Sequence, residues 1–424
     1  MARGNRTDTP GTAPRHAMPR GFWPIWTTVL IDLVGFGIAL PVLGIYAKDR
    51  FGASGLMVGV LMSAYSAAQF LAAPHLGKLS DRVGRKPVLV LSLLGTAGAA
   101  LMTGLASTLW LLVLWRFVDG LTGATYGVAT AAIADIAPPQ RRSALIGMLG
   151  AAFGIGFTIG PAIGALMSHL GGPTAPFFLL AGMSLLNAIV MYVRVPETRD
   201  MAKQQAEDMR ATGADAGLAT TWRDAGLPLL FGAGVLISVA FSAFESHFSS
   251  FGRDNLGLTQ SSAGWALAVV GIVSSIVQGG LIGRVTRRVG DMRPALWGTL
   301  TTTVGLALFG ASSGWALLIP ALFVIAAGTG FSNPSLAAET ANRIHPAKRG
   351  EVLGVQQSWT AGARVVGPLL GGLAFDHVGH RAPFYAGAAL FAFAVVLIAR
   401  SARATTSPSS AASTRQTPQA TQRL

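Results

Sequence analysis

Long apolar runs separated by short polar loops dominate this chain. A run of about 20 residues is long enough to cross about 30 Å of hydrocarbon as a helix. The pattern therefore predicts an all-α membrane protein with twelve transmembrane helices, the first of them a retained span and not a signal peptide. The predicted spans are 22–45, 56–76, 87–107, 109–131, 144–168, 174–194, 227–250, 262–282, 294–313, 315–338, 351–374 and 383–400.

Composition supports this interpretation. Of the 424 residues, 51% are hydrophobic and only 12% are charged, about half the charged fraction of an ordinary soluble domain. So apolar a chain is not expected to be disordered, a secreted disulfide scaffold or a soluble enzyme. Because the chain has no cysteine, disulfides, zinc–thiolate sites and thiol catalysis are excluded. We expect neither a metal nor a cofactor.

The formal net charge of +14 would fit a nucleic-acid partner if the cations formed an exposed stripe. Instead, most Lys and Arg residues fall in the tails and loops on one side of the predicted spans. The few on the other side are Lys48, Arg50, Arg253 and Arg381. Since cytoplasmic loops collect positive charge, we expect both termini in the cytoplasm and no nucleic-acid binding.

The chain also contains an internal repeat. Residues 142–177 align without gaps onto residues 349–384, and the identities include Gly160/Gly367 and Pro161/Pro368. Parallel repeats of this type enclose a cavity near the membrane midplane, so the architecture predicts a transporter. The predicted organisation is an N-terminal cytoplasmic tail (1–21), a six-helix half (22–194), a cytoplasmic linker (195–226), a second six-helix half (227–400) and a disordered cytoplasmic tail (401–424).

The loop between spans 2 and 3 carries a specific motif. Glycines permit a tight turn, and Asp81 can cap the next helix or pair with Arg85. Alternatively, the loop is only a basic turn that anchors topology. It resembles the hallmark loop of the major facilitator superfamily, which implies a cytoplasmic gating role. The gating residues are Gly77, Asp81, Arg82, Gly84, Arg85 and Lys86.

Span 5 carries a second motif, with glycines four residues apart that leave a bare helix face for close packing. Pro161 removes a backbone donor and can bend this helix. The segment resembles the antiporter signature of the superfamily's drug-efflux branch, although a generic packing face would look similar. The motif residues are Gly156, Gly160, Pro161 and Gly164.

Three further stretches, 32–38, 116–124 and 196–198, resemble the tetracycline-efflux group. This resemblance implies the major facilitator fold and proton-driven export of amphipathic drugs. Spans 3, 8 and 9 lack the intramembrane acid or histidine that tetracycline exporters carry there. That absence argues against tetracycline as the main substrate.

Charged residues inside predicted spans cost roughly 2.5–3.5 kcal/mol each at the bilayer centre, so each needs a reason. We take Asp32, Asp119 and Glu245 as candidates for proton coupling, and Arg116 and Arg364 as their intramembrane charge partners. Each candidate has an alternative. Asp32 could make only a packing contact, Asp119 could merely neutralise Arg116, and Glu245 could be a solvated acid nearer the outer mouth.

Together these patterns predict a proton-coupled transporter that exports amphipathic small molecules by alternating access. The alternative on the same fold is a symporter or facilitator for a small nutrient. An enzyme is not expected, since no phosphate-binding loop or catalytic cluster stands out, and a non-transporting receptor would need no buried acids. The expected partners are a small-molecule substrate, protons and the lipid bilayer, with a monomer in the inner membrane of a bacterium.

Overall fold

The computed structural model describes residues 18–19, 21–138, 142–198, 226–343 and 349–406. Most of the two predicted tails and most of the predicted linker lie outside the described residues. Within the described ranges every regular element is a helix, as the hydrophobic pattern predicts.

Seven helices form the N-terminal half. They are α1 (Phe22–Phe51), α2 (Gly55–Val83), α3 (Arg85–Leu105), α4 (Leu109–Thr122), α5 (Thr125–Ile136), α6 (Arg142–Gly171) and α7 (Ala175–Arg194). A further seven form the C-terminal half. They are α8 (Leu227–Leu256), α9 (Gln260–Ile276), α10 (Ile282–Val289), α11 (Met292–Ala311), α12 (Trp315–Asn342), α13 (Arg349–His377) and α14 (Ala382–Thr406).

The helix ends follow local chemistry. Ser54 caps α2 by accepting a hydrogen bond from the Met57 N–H, and Thr259 forms a capping box with Ser262 at the start of α9. Helices α1 and α8 each end at a glycine in the left-handed region, Gly52 at φ 63° and Gly257 at φ 64°. Glycine takes this conformation without the penalty that a Cβ atom brings.

Two predicted spans differ from continuous α-helices. The span 109–131 is interrupted at Gly123, which separates α4 from α5. Gln69 of α2 donates from Nε2 to the Gly123 carbonyl at 2.5 Å, satisfying an acceptor at the break. The span 262–282 includes a π-helical turn at Val277–Leu281 and then continues as α10. These irregularities depend on packing between helices, which hydropathy alone does not encode.

Eight of the described helices are long and apolar enough to cross a membrane, by length and composition. They are α1, α2, α3, α6, α7, α8, α12 and α14, while α9 is apolar but shorter. The predicted count of twelve spans and the predicted side of the termini stay predictions.

The helices alternate in direction, so the bundle has two faces. The linker face carries Gly84, Thr198, Gly226 and Gly290, and the opposite face carries Gly52, Gly172, Gly257 and Gly379. The two halves pack together mainly along two pairs of helices, α2 with α13 and α6 with α9, with further contacts of α8 with α1 and α2.

Glycines bring these interhalf pairs into backbone contact. A Cβ atom on Gly372 of α13 would lie 2.7 Å from the Gly55 carbonyl oxygen of α2, and one on Gly271 of α9 would lie 2.6 Å from the Thr158 Cα of α6. Small residues are what allow membrane helices to approach so closely. The contacts of α2 with α13 run from the opposite face, at Gly55, to the middle of the bundle, at Ser63.

Candidate functional site

A cavity lies in the middle of the bundle between the two halves. The N-terminal half contributes side chains from α1, α2 and α4, and the C-terminal half contributes side chains from α8 and α13. The lining residues are Phe36, Leu40, Met62, Tyr65, Ser66, Arg116, Ser242, Glu245, Ser246, Arg364 and Pro368. Charged and aromatic side chains therefore lie together in the middle of a bundle that is otherwise largely apolar.

The N-terminal half holds one buried ion pair at this cavity. Arg116 Nη1 donates to Asp119 Oδ2 at 2.8 Å, three residues along the same helix, and both residues are buried. The Arg116 guanidinium also lies over the Tyr65 ring, 4.7 Å from its centroid, where the ring quadrupole attracts a cation. The two opposite charges nearly cancel, so each side chain stabilises the other inside this half.

Asp32 lies on α1 near this pair. It is half-buried, and its carboxylate interacts with the Thr125 hydroxyl and, electrostatically, with Asp119. The break between α4 and α5 starts α5 at Thr125, which places this hydroxyl beside Asp32. Unlike Asp119, Asp32 forms no ion pair among the described residues.

Glu245 and Arg364 face the cavity from the C-terminal half. Both are half-buried, and they interact electrostatically, but no ion pair joins them within the described structure. Glu245 Oε1 is buried without a hydrogen-bond partner. Because α8 extends to Leu256, beyond the predicted end at 250, Glu245 lies at the central cavity rather than near the outer mouth.

On the opposite face, a polar cluster that we call the clasp joins the halves. Asp376, at the end of α13, accepts hydrogen bonds from the Gly55 and Leu56 N–H groups at the start of α2, both at 2.8 Å. The fully buried His247 places Nε2 3.0 Å from the Gly55 carbonyl oxygen. Lys48 pairs with Asp254 in the same region.

On the linker face, the loop motif forms a network around Arg85. The Arg85 guanidinium pairs with Asp81 and, through Nε, with Asp135 Oδ2 at 2.9 Å. Glu197 accepts the Arg85 N–H at 2.9 Å and the Lys86 N–H at 3.2 Å, and so caps the start of α3. The network ties α2, α3, α5 and the segment after α7 together within one half.

The sequence matches the family model described as Major Facilitator Superfamily over residues 25–357, and again over the overlapping residues 253–422. The chain belongs to the Major Facilitator Superfamily. The predicted family and fold class are thereby confirmed, and the protein is a multi-pass membrane transporter.

Relatives of this facilitator include drug-resistance proteins. It is 30% identical over 357 residues to the class B tetracycline resistance protein of Escherichia coli, which covers 82% of this chain and 86% of the relative. It is 24% identical over 391 residues to the quinolone resistance protein NorA of Staphylococcus aureus, covering 91% and 98%. The human organic anion transporter MFSD10 (TETRAN) shares the fold, with a TM-score of 0.67 and 23% identity over 89% of this chain and 99% of that one.

The remaining residues of the facilitator's loop motif lie around the Arg85 network. Gly84 has φ 108°, in the region that favours glycine, and a Cβ atom there would collide with the Glu197 carboxylate. Lys86 Nζ lies 5.1 Å from the centroid of the Tyr192 ring. Gly77 faces open space, and Arg82 is exposed.

The predicted glycine face of span 5 packs within its own half. Cβ atoms on Gly156, Gly160 and Gly164 of α6 would each lie under 3.0 Å from the backbone of α1. Pro161, in contrast, directs its carbonyl oxygen toward Gly264 of α9, 2.8 Å from where a Cβ atom would lie. Helix α6 is thus held between α1 of one half and α9 of the other.

Tyr65, Gln69 and Asp376 are site residues that sequence reasoning did not single out. Tyr65 lies within electrostatic range of Asp32, Asp119, Arg116 and Arg364. No local motif marks these three residues, because their partners lie on helices distant in sequence. Among the described residues, no cluster of three or more His, Cys, Asp or Glu side chains could hold a metal ion.

Proposed function

We propose that this facilitator is a proton-coupled exporter of amphipathic small molecules in the inner membrane of a bacterium. The observation that carries the proposal is the cavity between the halves, where Arg116, Glu245 and Arg364 meet aromatic and apolar side chains. Such a cavity suits a ligand with both apolar and polar parts. The similarity to tetracycline and quinolone resistance proteins supports the same substrate type.

The two halves work by alternating access in this proposal, with residues 22–194 and 227–400 rocking about the cavity. The linker face, with its basic loops, faces the cytoplasm together with both termini. In this proposal the clasp closes the opposite face, and the described conformation is a state closed toward the outside. The transporter acts as a monomer, because each chain holds a complete cavity.

Proton coupling belongs to the carboxylates at the cavity. Asp119 is already neutralised by Arg116 at 2.8 Å, so its main role is structural. Asp32 and Glu245 form no ion pair among the described residues, which leaves their carboxylates available to exchange a proton with a polar or cationic ligand. An ionisable group at this depth is expected to serve transport.

The proposal is tested with inside-out vesicles that hold a respiration-driven proton gradient. Each compound of a panel of amphipathic drugs and small nutrients is added, and proton release is followed with a pH-sensitive dye. We expect release with several drugs in vesicles that contain the protein and none in vesicles from cells without it. Proton-driven uptake of a nutrient into cells, with no release by any drug, would identify a symporter instead.

A further inference from the structure

We infer that Arg364 forms an anion subsite, so that the preferred substrates of this transporter carry a carboxylate or a similar oxyanion. The inference rests on the proposed export function and names its substrate class. It starts from a guanidinium on α13 that faces the central cavity without a hydrogen bond or ion pair among the described residues.

The surroundings of Arg364 leave its charge unpaired. The one acid that interacts with it in the cavity is Glu245, whose Oε1 atom is buried yet has no hydrogen-bond partner. Two serines on the same helix as this acid are engaged elsewhere, since Ser242 donates to the Ala363 carbonyl at 3.2 Å and Ser246 lies 2.8 Å from His247 Nδ1. The guanidinium and the carboxylate therefore face a common space without closing on each other.

The other cavity arginine, Arg116, has an ion-pair partner, although its Nε atom is buried without a hydrogen bond. Arg116 is held by Asp119 and by the Tyr65 ring, whereas Arg364 lacks both kinds of partner in the described structure. A guanidinium in the middle of a membrane protein normally pairs with an acid or with carbonyl groups. Its planar fork matches an oxyanion with two parallel hydrogen bonds, so a ligand oxyanion would supply the missing partner.

Apolar walls define the rest of such a ligand. Phe36, Leu40, Met62 and Pro368 line the same cavity, and Phe36 lies 5.8 Å from the Tyr65 ring centroid. An apolar or aromatic body fits between these side chains while its oxyanion reaches Arg364. The subsite thus selects amphipathic anions or zwitterions over purely cationic compounds.

The test measures binding to the purified protein in lipid nanodiscs, using pairs of fluorescent amphipathic compounds. Each pair contains an N-dansyl amino acid and its carboxamide, with phenylalanine, leucine, tryptophan and lysine as the amino acids. We expect each acid to bind at least about tenfold more tightly than its amide, as a charge-assisted bidentate contact allows. Equal affinities within the pairs, or binding of the amides alone, would overturn the inference.

Variants assign the preference to the residue. In Arg364→Gln the acids should fall to the affinity of the amides, and Arg364→Lys should retain part of the difference. In Glu245→Gln the acids should bind more tightly than in the unchanged protein, because a competing negative charge is removed. Arg381→Gln, an exposed change on the opposite face, is the control. It should alter neither the affinity of the acids nor that of the amides. An acid preference that survives in Arg364→Gln would reject the subsite.

The vesicle panel separates this inference from the proposed function. If neutral or cationic drugs release protons but no acid binds or is exported, the export function stands and the anion subsite is wrong. If acids bind with the Arg364-dependent preference but no compound releases protons, the subsite stands and the coupled export is wrong.

Discussion

At the scale of single residues, the charged side chains near the cavity are of two kinds, those in an ion pair and those without one among the described residues. The Arg116–Asp119 pair is buried and internally neutralised, and replacing one partner alone would leave an uncompensated charge. Asp32 is only half-buried and shares its surroundings with Thr125 and Asp119. A carboxylate in this position can gain and lose a proton without dismantling the helices around it.

Asp32→Asn is expected to fold and reach the membrane but to lose proton-coupled export, because the amide keeps the shape and cannot exchange the proton. Accumulation of an exported drug under an imposed pH gradient measures the loss. Asp291→Asn, on the linker face outside the cavity, is the matched control and should export normally. An unchanged accumulation ratio in Asp32→Asn would show that the coupling acid lies elsewhere.

At the scale of helices, glycine faces decide how closely elements approach. Gly160 of α6 abuts α1 within the N-terminal half, whereas Gly271 of α9 and Gly372 of α13 contact helices of the other half. Enlarging a glycine of the first kind should therefore damage folding of one half. Enlarging one of the second kind should affect the movement between halves.

Gly160→Leu is expected to lower the amount of folded protein steeply, because its Cβ atom alone would lie 2.7 Å from the Gly37 Cα. Overpacking of this type typically costs about 1–3 kcal/mol, occasionally more. Gly98→Leu, at an exposed site on α3 with no atom within 4 Å of the added Cβ, is the control. For both variants, the yield of monodisperse protein after detergent extraction measures how much protein has folded. A normal yield for Gly160→Leu would mean that α1 and α6 can separate.

In the proposed transport cycle, the clasp keeps the opposite face closed. Burial raises the pKa of Asp376, but hydrogen bonds from the Leu56 and Gly55 N–H groups outweigh burial, and the pKa falls below its ordinary value of 3.8. Asp376 is therefore ionised in the clasp at neutral pH. The stabilisation it contributes is present above pH 3.8 and is lost only as the pH falls through the lowered pKa.

Asp376→Asn is expected to loosen the opposite face, since a neutral amide is a poorer cap for the positive start of α2. The chain has no cysteine, so a single Ser66→Cys at the cavity can report access. A membrane-impermeant thiol reagent applied from outside whole cells should label it several-fold faster in the Asp376→Asn background than without that change. The ratio of the rates in the two backgrounds should stay constant between pH 5 and 8, because thiol ionisation changes both rates alike and Asp376 stays ionised over this range. Equal labelling in both backgrounds would contradict a closing role.

At the scale of the whole molecule, two acids occupy comparable positions on opposite faces. Asp376 ends α13 and caps the start of α2 across the halves, while Asp81 lies near the end of α2 and its side chain is 60% exposed. In the described state Asp81 pairs with Arg85 of its own half. We expect Asp81 to close the linker face against the C-terminal half when the clasp opens.

Asp81→Asn should therefore lower turnover per inserted molecule while leaving substrate affinity in the binding-competent state nearly unchanged. A carboxylate at a helix start contributes up to about 2 kcal/mol, which is roughly a thirty-fold change in population. Arg85→Ala should also lower turnover. The effect of the double variant should be smaller than the sum of the single effects, because both residues serve the same closure of the linker face. Unchanged turnover in Asp81→Asn would reject this role. If transport falls only in proportion to the amount of protein inserted in the membrane, the loop serves only to set the membrane topology.

The sequence by itself determined the fold class, the family and most helix positions of this transporter. Apolar runs of membrane length force helices, because backbone polar groups have no other partners in hydrocarbon, and the glycine-rich loop with Asp81 and Arg85 is a local pattern. The interruption at Gly123 escaped prediction, since its carbonyl is satisfied by Gln69 of a different helix.

Only the tertiary structure decided which charged residues meet. Hydropathy marked Asp32, Arg116, Asp119, Glu245 and Arg364 as costly. It did not show that Arg116 is paired while Arg364 is not, nor that Glu245 lies at the central cavity. These differences depend on how α2, α4, α8 and α13 pack around the cavity, and the partners there are far apart in sequence. The periodicity of one helix carries no information about the distance to another, so neither the contacts of the clasp nor the place of Arg364 at the cavity could be predicted from the sequence.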